Sequence, residues 1–146
     1  MQELRINGGQ KLRGEVRVSG AKNAALPALA ATILASGKTT LENMPNVKDV
    51  KSMCSLLESL GAVVLRCNNS ITVDTTNVDR WQAPHELVRK MRASVLVMGP
   101  LMARFGRAEV ALPGGCTIGN RPIDMHINAL RLMGAKSELI KGDEHI

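Results

Sequence analysis

The sequence predicts an α/β fold built from repeated βαβ-type units, and three observations carry that expectation. Hydrophobic residues fill 45 % of the 146 positions, enough for a buried core, yet the chain has one Phe, one Trp and no Tyr, so that core must be aliphatic. Short strand-like runs alternate with helical stripes along the chain. The chain also repeats itself. Residues 24–37 and 93–106 each run from a small residue to a glycine over the same distance, strand patterns follow at 39–42 and 107–111, and each copy reaches a proline, Pro45 and Pro113. An amphipathic helix then closes on Gly-Ala in both copies, at Leu60-Gly61-Ala62 and Met133-Gly134-Ala135, and another strand pattern follows. The period is about seventy residues, so each unit is a helix, a strand, a helix and a hairpin.

In chain order, residues 3–6 and 15–18 read as two strands around Gly8-Gly9. The run Ser19-Gly20-Ala21-Lys22-Asn23 opens a helix to about residue 35, with Ser19 or Asn23 as cap and Pro27 in its first turn. That helix is apolar nearly all round, which predicts burial inside the domain. Lys22 and Asn23 at its positive end fit an anion site or ordinary capping, and these residues alone leave both open. A strand at 39–42 follows, then a helix at 47–60 with Gly61 as its C-cap, and a hairpin of 62–66 and 71–74 around Asn68-Asn69-Ser70. Cys54 belongs to the helix stripe and reads as packing; Cys67, at the hairpin edge, reads as structural. Trp81 and Pro84 lead into a helix start at 85–91.

The second unit offers a helix at 93–106, a strand at 107–111 and a helix opened by Pro122 with a stripe of Ile123, Ile127, Leu130 and Met133. A strand at 135–140 begins its hairpin, whose return is barely started by residue 146, so the chain reads as part of a longer protein. Aligning the copies sets Arg92 opposite Asn23. Two related helix starts bearing Lys22, Asn23 and Arg92 are therefore expected to face one site.

The net charge of +6 suits anionic partners. Scattered cations and the lack of stacking aromatics argue against nucleic acid. The apolar runs are too short to cross a bilayer, no leader opens the chain, and the three cysteines lack metal-like spacing, which together fit a reduced, cytoplasmic protein.

The copies differ in one informative place. From proline to Gly-Ala the second is five residues longer, and the excess lies in 114–121. Inserted loops on regular scaffolds are common places for function. Here Gly114-Gly115 precedes Cys116, Gly119 follows it, and Arg121 lies five residues on. A thiol near a guanidinium and a helix N-terminus is held more readily as thiolate, the reactive form. An isolated Gly-Gly-Cys is an ordinary surface loop; the accompanying Gly-Asn-Arg-Pro-Ile-Asp raises the functional reading above that one.

The segments SGAKNAALPALAA, MRASVLVMGPLMARFG and LPGGCTIGNRPID closely resemble the UDP-N-acetylglucosamine enolpyruvyl transferases, and the resemblance covers the whole chain. It implies a fold of two globules, each of three repeated units (an inside-out α/β barrel), of which this chain matches the N-terminal part. Residues 1–21 would then join the second globule, and 22–146 would supply about two units of the first, near 22–91 and 92–146. The implied reaction moves the enolpyruvyl group of phosphoenolpyruvate onto the 3′-hydroxyl of UDP-N-acetylglucosamine, in the first committed step of peptidoglycan synthesis, without metal or organic cofactor. By motif match, Lys22 and Arg121 would hold phosphoenolpyruvate, with Arg92 on the same charged wall. Asn23 and the run Arg121, Pro122, Ile123, Asp124 and Met125 would contact the sugar nucleotide. Cys116 would donate a proton to the enol carbon and be the residue that fosfomycin alkylates. The aspartate base and a further arginine would come from the second globule, so this chain alone is expected to be inactive and to self-associate or show a marginal core. The sister enzyme of the shikimate pathway shares the fold and phosphoenolpyruvate but does not resemble the PGGC loop; a basic nucleic-acid-binding module is the remaining alternative.

Overall fold

The structure, a computed structural model, describes residues 3–111 and 123–138. Residues 3–20 form no strand, and 3–19 are exposed, against the expectation of strands at 3–6 and 15–18. An isolated extended segment has no ladder to satisfy its backbone, and none of the described strands pairs with it.

The first helix, α1, spans Lys22–Ala31 and tightens into a 3-10 turn at Thr32–Leu34. Its N-cap is Ala21, with φ −82 and ψ 131 and no side-chain cap bond, so neither Ser19 nor Asn23 caps it. Asn23 is already helical, and Ser19 lies two residues short of the capping position. Pro27 stands in the second turn, not the first, where its ring nitrogen cannot donate to the Asn23 carbonyl. The helix is also less enclosed than expected: Ala25, Leu26, Leu29 and Ala30 are buried, while Ala24, Pro27 and Ala31 stay exposed.

Strand β1 (Lys38–Leu41), helix α2 (Lys48–Ser59), β2 (Val63–Cys67) and β3 (Ser70–Asp74) complete the first unit. The sheet order is β1-β3-β2, with β3 antiparallel to both neighbours. Hence β1 and β2 run the same way, α2 is their crossover, and the hairpin's returning strand slots between them. The Cys67↔Ser70 pairing leaves Asn68-Asn69 as a two-residue turn, with Asn68 at φ 49, so the predicted hairpin forms. Ile71 and Val73 of β3 point to the core, and the other face carries Thr40 and Thr72, hydroxyls 2.9 Å apart.

The second unit opens differently from the first. Residues Arg92–Val97 form a 3-10 segment, and only then does α4 (Met98–Phe105) begin, after the short α3 (His85–Lys90). Pro100 explains the order. It lacks an N–H and its ring collides with the carbonyl four residues back, so the α-helix starts where Pro100 falls in its first turn. Ser94, fully buried, returns its hydroxyl to the Val88 and Met91 carbonyls and fixes the bend into the segment. A parallel pair that the sequence did not announce joins β4 (Gln82–Ala83) to β5 (Glu109–Val110). The strand expected at 107–111 thus forms in shortened form, and its partner β4, two residues long, carries no periodicity to read. Helix α5 (Asp124–Leu132) follows, and residues 135–138 form no strand.

One core joins the units. Leu29 and Ile33 meet Met53 and Leu57 of α2, Val73 of β3, and Val97 and Leu101 of the second unit, all essentially inaccessible to solvent. Arg104 of α4 ties the same junction together by donating to the carbonyls of Ile33 (3.1 Å), Ala35 (3.4 Å) and Thr75 (2.9 Å). A rigid guanidinium can serve three acceptors where an ammonium would serve them poorly. Among the described residues no helix is long and apolar enough to cross a membrane.

Candidate active site

The predicted anion-binding end of α1 is assembled from two chain segments. Lys22 is the first helical residue and Asn23 the second; helix geometry leaves both backbone N–H groups facing outward from that end. The chain enters α1 through Gly20, where an added Cβ would lie 1.8 Å from the Asn43 carbonyl oxygen and 3.2 Å from Pro45 Cδ. Only glycine allows that approach. It pins the start of α1 against the connection from β1 to α2, so that the N-termini of α1 and α2 lie together.

There Lys22 Nζ stands 2.9 Å from Asp49 Oδ2, with both side chains about half exposed. Asp49 lies in the first turn of α2, where the helix dipole favours a carboxylate. Lys22 lies in the first turn of α1, where the dipole disfavours a cation, and α1 has no acidic residue of its own there. A half-exposed ion pair is worth about 0–1 kcal/mol, so its weight is not in stability. The arrangement presents an ammonium, an amide side chain and two backbone N–H groups at the molecular surface, a donor set suited to phosphate or carboxylate. The Asn23 side chain makes no hydrogen bond among the described residues.

The remaining sequence-derived residues fall into two groups. Arg92 begins the 3-10 segment, which packs against α1, but its side chain is outside what the structure describes. Cys116, Arg121 and Pro122 also lie outside the described residues. Helix α5 starts at Asp124 with Ile123 as N-cap, not at Pro122, and Asp124 at its first position complements the dipole. Asp124 and Met125 are exposed, and among the described residues no hydrogen bond or ion pair joins either of them to Lys22 or Asn23. A cavity of about 280 Å³ lies elsewhere, between α4, β5 and α5; Trp81, Met98, Met102, Ile127 and Leu130 line it, and Arg107 stacks over Trp81 at 3.4 Å. Of the described cysteines, Cys54 is buried and its thiol is pushed up chiefly by desolvation, partly offset by Arg66, whereas Cys67 is exposed. No group of three or more His, Cys, Asp or Glu among the described residues is placed to hold a metal ion.

Residues 6–145 match the family model described as EPSP synthase (3-phosphoshikimate 1-carboxyvinyltransferase). The chain belongs to that family. Within the family it is 51 % identical to the UDP-N-acetylglucosamine 1-carboxyvinyltransferase of Dichelobacter nodosus, over 97 % of this chain and 34 % of that protein. It is 52 % identical to the like-named protein of Acinetobacter baylyi, over 99 % of this chain and 35 % of that one. The chain thus spans about a third of the length of the curated relatives it matches. Among solved structures, the enolpyruvyl transferase NikO from Streptomyces tendae superposes with a TM-score of 0.76 at 25 % identity, covering 94 % of this chain and 30 % of that one. The chain therefore has the enolpyruvyl transferase fold, as the sequence motifs implied.

Two contributors to the geometry at the start of α1 escaped the sequence reading. Asp49 carries only the ordinary signal of an acid in a helix's first turn, and nothing local joins it to Lys22, twenty-seven residues earlier. Gly20 was legible as a helix-entry residue, but not as the contact that seats α1 on Asn43.

Proposed function

We propose that this chain is part of an enzyme that transfers the enolpyruvyl group of phosphoenolpyruvate to the 3′-hydroxyl of UDP-N-acetylglucosamine with release of phosphate. The observation that carries this reading is about 50 % identity, over nearly the whole chain, to relatives named for that aminosugar nucleotide. In this reading Lys22 and Arg121 bind phosphoenolpyruvate with Arg92 beside them. Asn23, Arg121, Pro122, Ile123, Asp124 and Met125 contact the sugar nucleotide, and Cys116 protonates the enol carbon. Two polyanionic substrates need fixed cations, and addition across an enol ether needs an acid on one face. The start of α1, bearing Lys22 and Asn23, supports the anion-binding half. The reading also has residues 1–21 join a second globule of the longer protein, and the exposure of Leu4, Ile6, Leu12, Val16 and Val18 supports that pairing, or self-association where the globule is absent.

Cys116 supplies the test. In the full-length enzyme fosfomycin should modify Cys116 ahead of Cys54 and Cys67, and UDP-N-acetylglucosamine should change the rate. Cys116→Ser should lose most activity, since a hydroxyl is a far weaker acid, while Cys116→Asp should keep some activity and escape alkylation. First modification of Cys54 or Cys67 by mass spectrometry, or a wild-type rate for the serine variant, would overturn the assignment. Turnover with shikimate 3-phosphate in place of the aminosugar nucleotide would move the chain to the sister reaction.

A further inference from the structure

We propose that Asp49 is a positioning residue for the anion site: it fixes the Lys22 ammonium across the adjoining starts of α1 and α2 so that the ammonium's other donors face the incoming substrate anion. The inference rests on the reading that Lys22 binds phosphoenolpyruvate.

Three features of the structure carry it. First, the cation sits where its own helix disfavours it. Lys22 opens α1, no acid lies in that first turn, and a flexible four-carbon stem would let the ammonium swing away toward solvent. Second, the partner is itself anchored. Asp49 is in the first turn of α2, held by that helix's dipole, and lies 2.9 Å from Lys22 Nζ. The contact spans two helices whose relation is set by the close approach of Gly20 to Asn43 and by shared core packing, so it is not a local pair on one helix face. Third, the pair is only half covered. One oxygen of Asp49 occupies one direction around an ammonium that has three donors, and the open side remains for a phosphate or carboxylate. Asp49 need not touch substrate in this role. A carboxylate so close to an anion site repels the substrate directly, so the proposed role acts through the orientation of Lys22 and not through contact with substrate.

The test uses the full-length enzyme and the variants Asp49→Asn, Asp49→Glu, Lys22→Ala and Lys22→Ala/Asp49→Asn, with steady-state kinetics for both substrates. Loss of orientation should lower kcat/KM for phosphoenolpyruvate on the order of 10²-fold in Asp49→Asn, with KM for UDP-N-acetylglucosamine little changed. Asp49→Glu should recover part of that loss, because it restores a carboxylate near the ammonium. Once Lys22 is gone, the asparagine substitution should have little further effect. A wild-type kcat/KM in Asp49→Asn, beside a clear loss in Lys22→Ala, would overturn the proposal and leave the anion site standing. An undiminished Asp49→Asn penalty in the Lys22→Ala background would also overturn it, since Asp49 would then act by another route. If Lys22→Ala itself left phosphoenolpyruvate kinetics unchanged, the underlying reading of the site would fail instead.

Discussion

Helices α2 and α5 occupy the same place in the two copies of the repeat, yet they meet opposite fates. Both are amphipathic, and both end in the same cap. Ala62 N–H donates to the Leu57 carbonyl and Gly61 N–H to Glu58; in the second copy Ala135 donates to Leu130 and Gly134 to Arg131. These are two Schellman motifs on Gly61 at φ 106 and Gly134 at φ 98. Yet α2 buries Val50, Met53, Cys54, Leu56 and Leu57, while α5 buries no residue completely. The difference is the neighbours. Helix α1 packs along α2, with α3 and β2 also against it, while no described element packs as extensively on α5, and residues 135–138 after it form no strand. A helical stripe states which face wants cover, and only a neighbouring element supplies it.

The largest expected effect breaks this comparison at its centre. Leu57→Ala removes a side chain with no solvent exposure and should cost about 2–5 kcal/mol. Leu132→Ala, at 91 % exposure on α5, should stay within about 0.5 kcal/mol. Urea unfolding of the two variants reads both values, and equal costs would mean that α5 is as deeply packed as α2.

The caps provide a subtler contrast, because their backbone geometry matches while their surroundings do not. Alanine at Gly134 meets nothing within 4 Å and should cost only the left-handed strain, about 1–2 kcal/mol. At Gly61 the new Cβ would also lie 2.9 Å from the Asn77 carbonyl oxygen, so Gly61→Ala should exceed Gly134→Ala by about 1 kcal/mol or more. Paired thermal melts decide it; indistinguishable costs would show that the Asn77 segment yields freely.

The smallest effect concerns the end of the covered sheet. Asp74 closes β3 and accepts from Thr76, through the hydroxyl at 2.6 Å and the backbone N–H at 3.0 Å. The hydroxyl first, and then the N–H, holds the Asp74 carboxyl below its usual range. A depressed folded-state pKa adds stability that is present above the unfolded value, about 3.9, and fades as pH falls through the folded one. Asp74→Asn should therefore flatten the acid limb of the stability–pH curve slightly and leave the neutral region's slope unchanged. A steeper acid limb in the variant would contradict the sign.

Much of the first unit was legible because local rules and tertiary packing agree there. The hairpin turn at Asn68-Asn69, the Gly61 cap and the buried Cys54 follow from turn chemistry, left-handed backbone preference and helical spacing. The matching Gly-Ala caps of α2 and α5 were legible for the same reason. Of the candidate site, the sequence made legible that Lys22 and Asn23 stand at a helix start, whereas Cys116 and Arg121 lie outside the described residues.

What the sequence determined by itself was therefore the α/β class, the glycine caps at Gly61 and Gly134 and the family's motifs, all properties of residues near one another in the chain. Tertiary structure alone decided that β3 lies between β1 and β2, that Gly20 seats on Asn43 and that Asp49 reaches Lys22. Each of these depends on which surfaces meet across long stretches of chain. Pairing energies between distant residues leave no period or spacing in the sequence, because either partner alone looks like an ordinary surface residue, turn or cap.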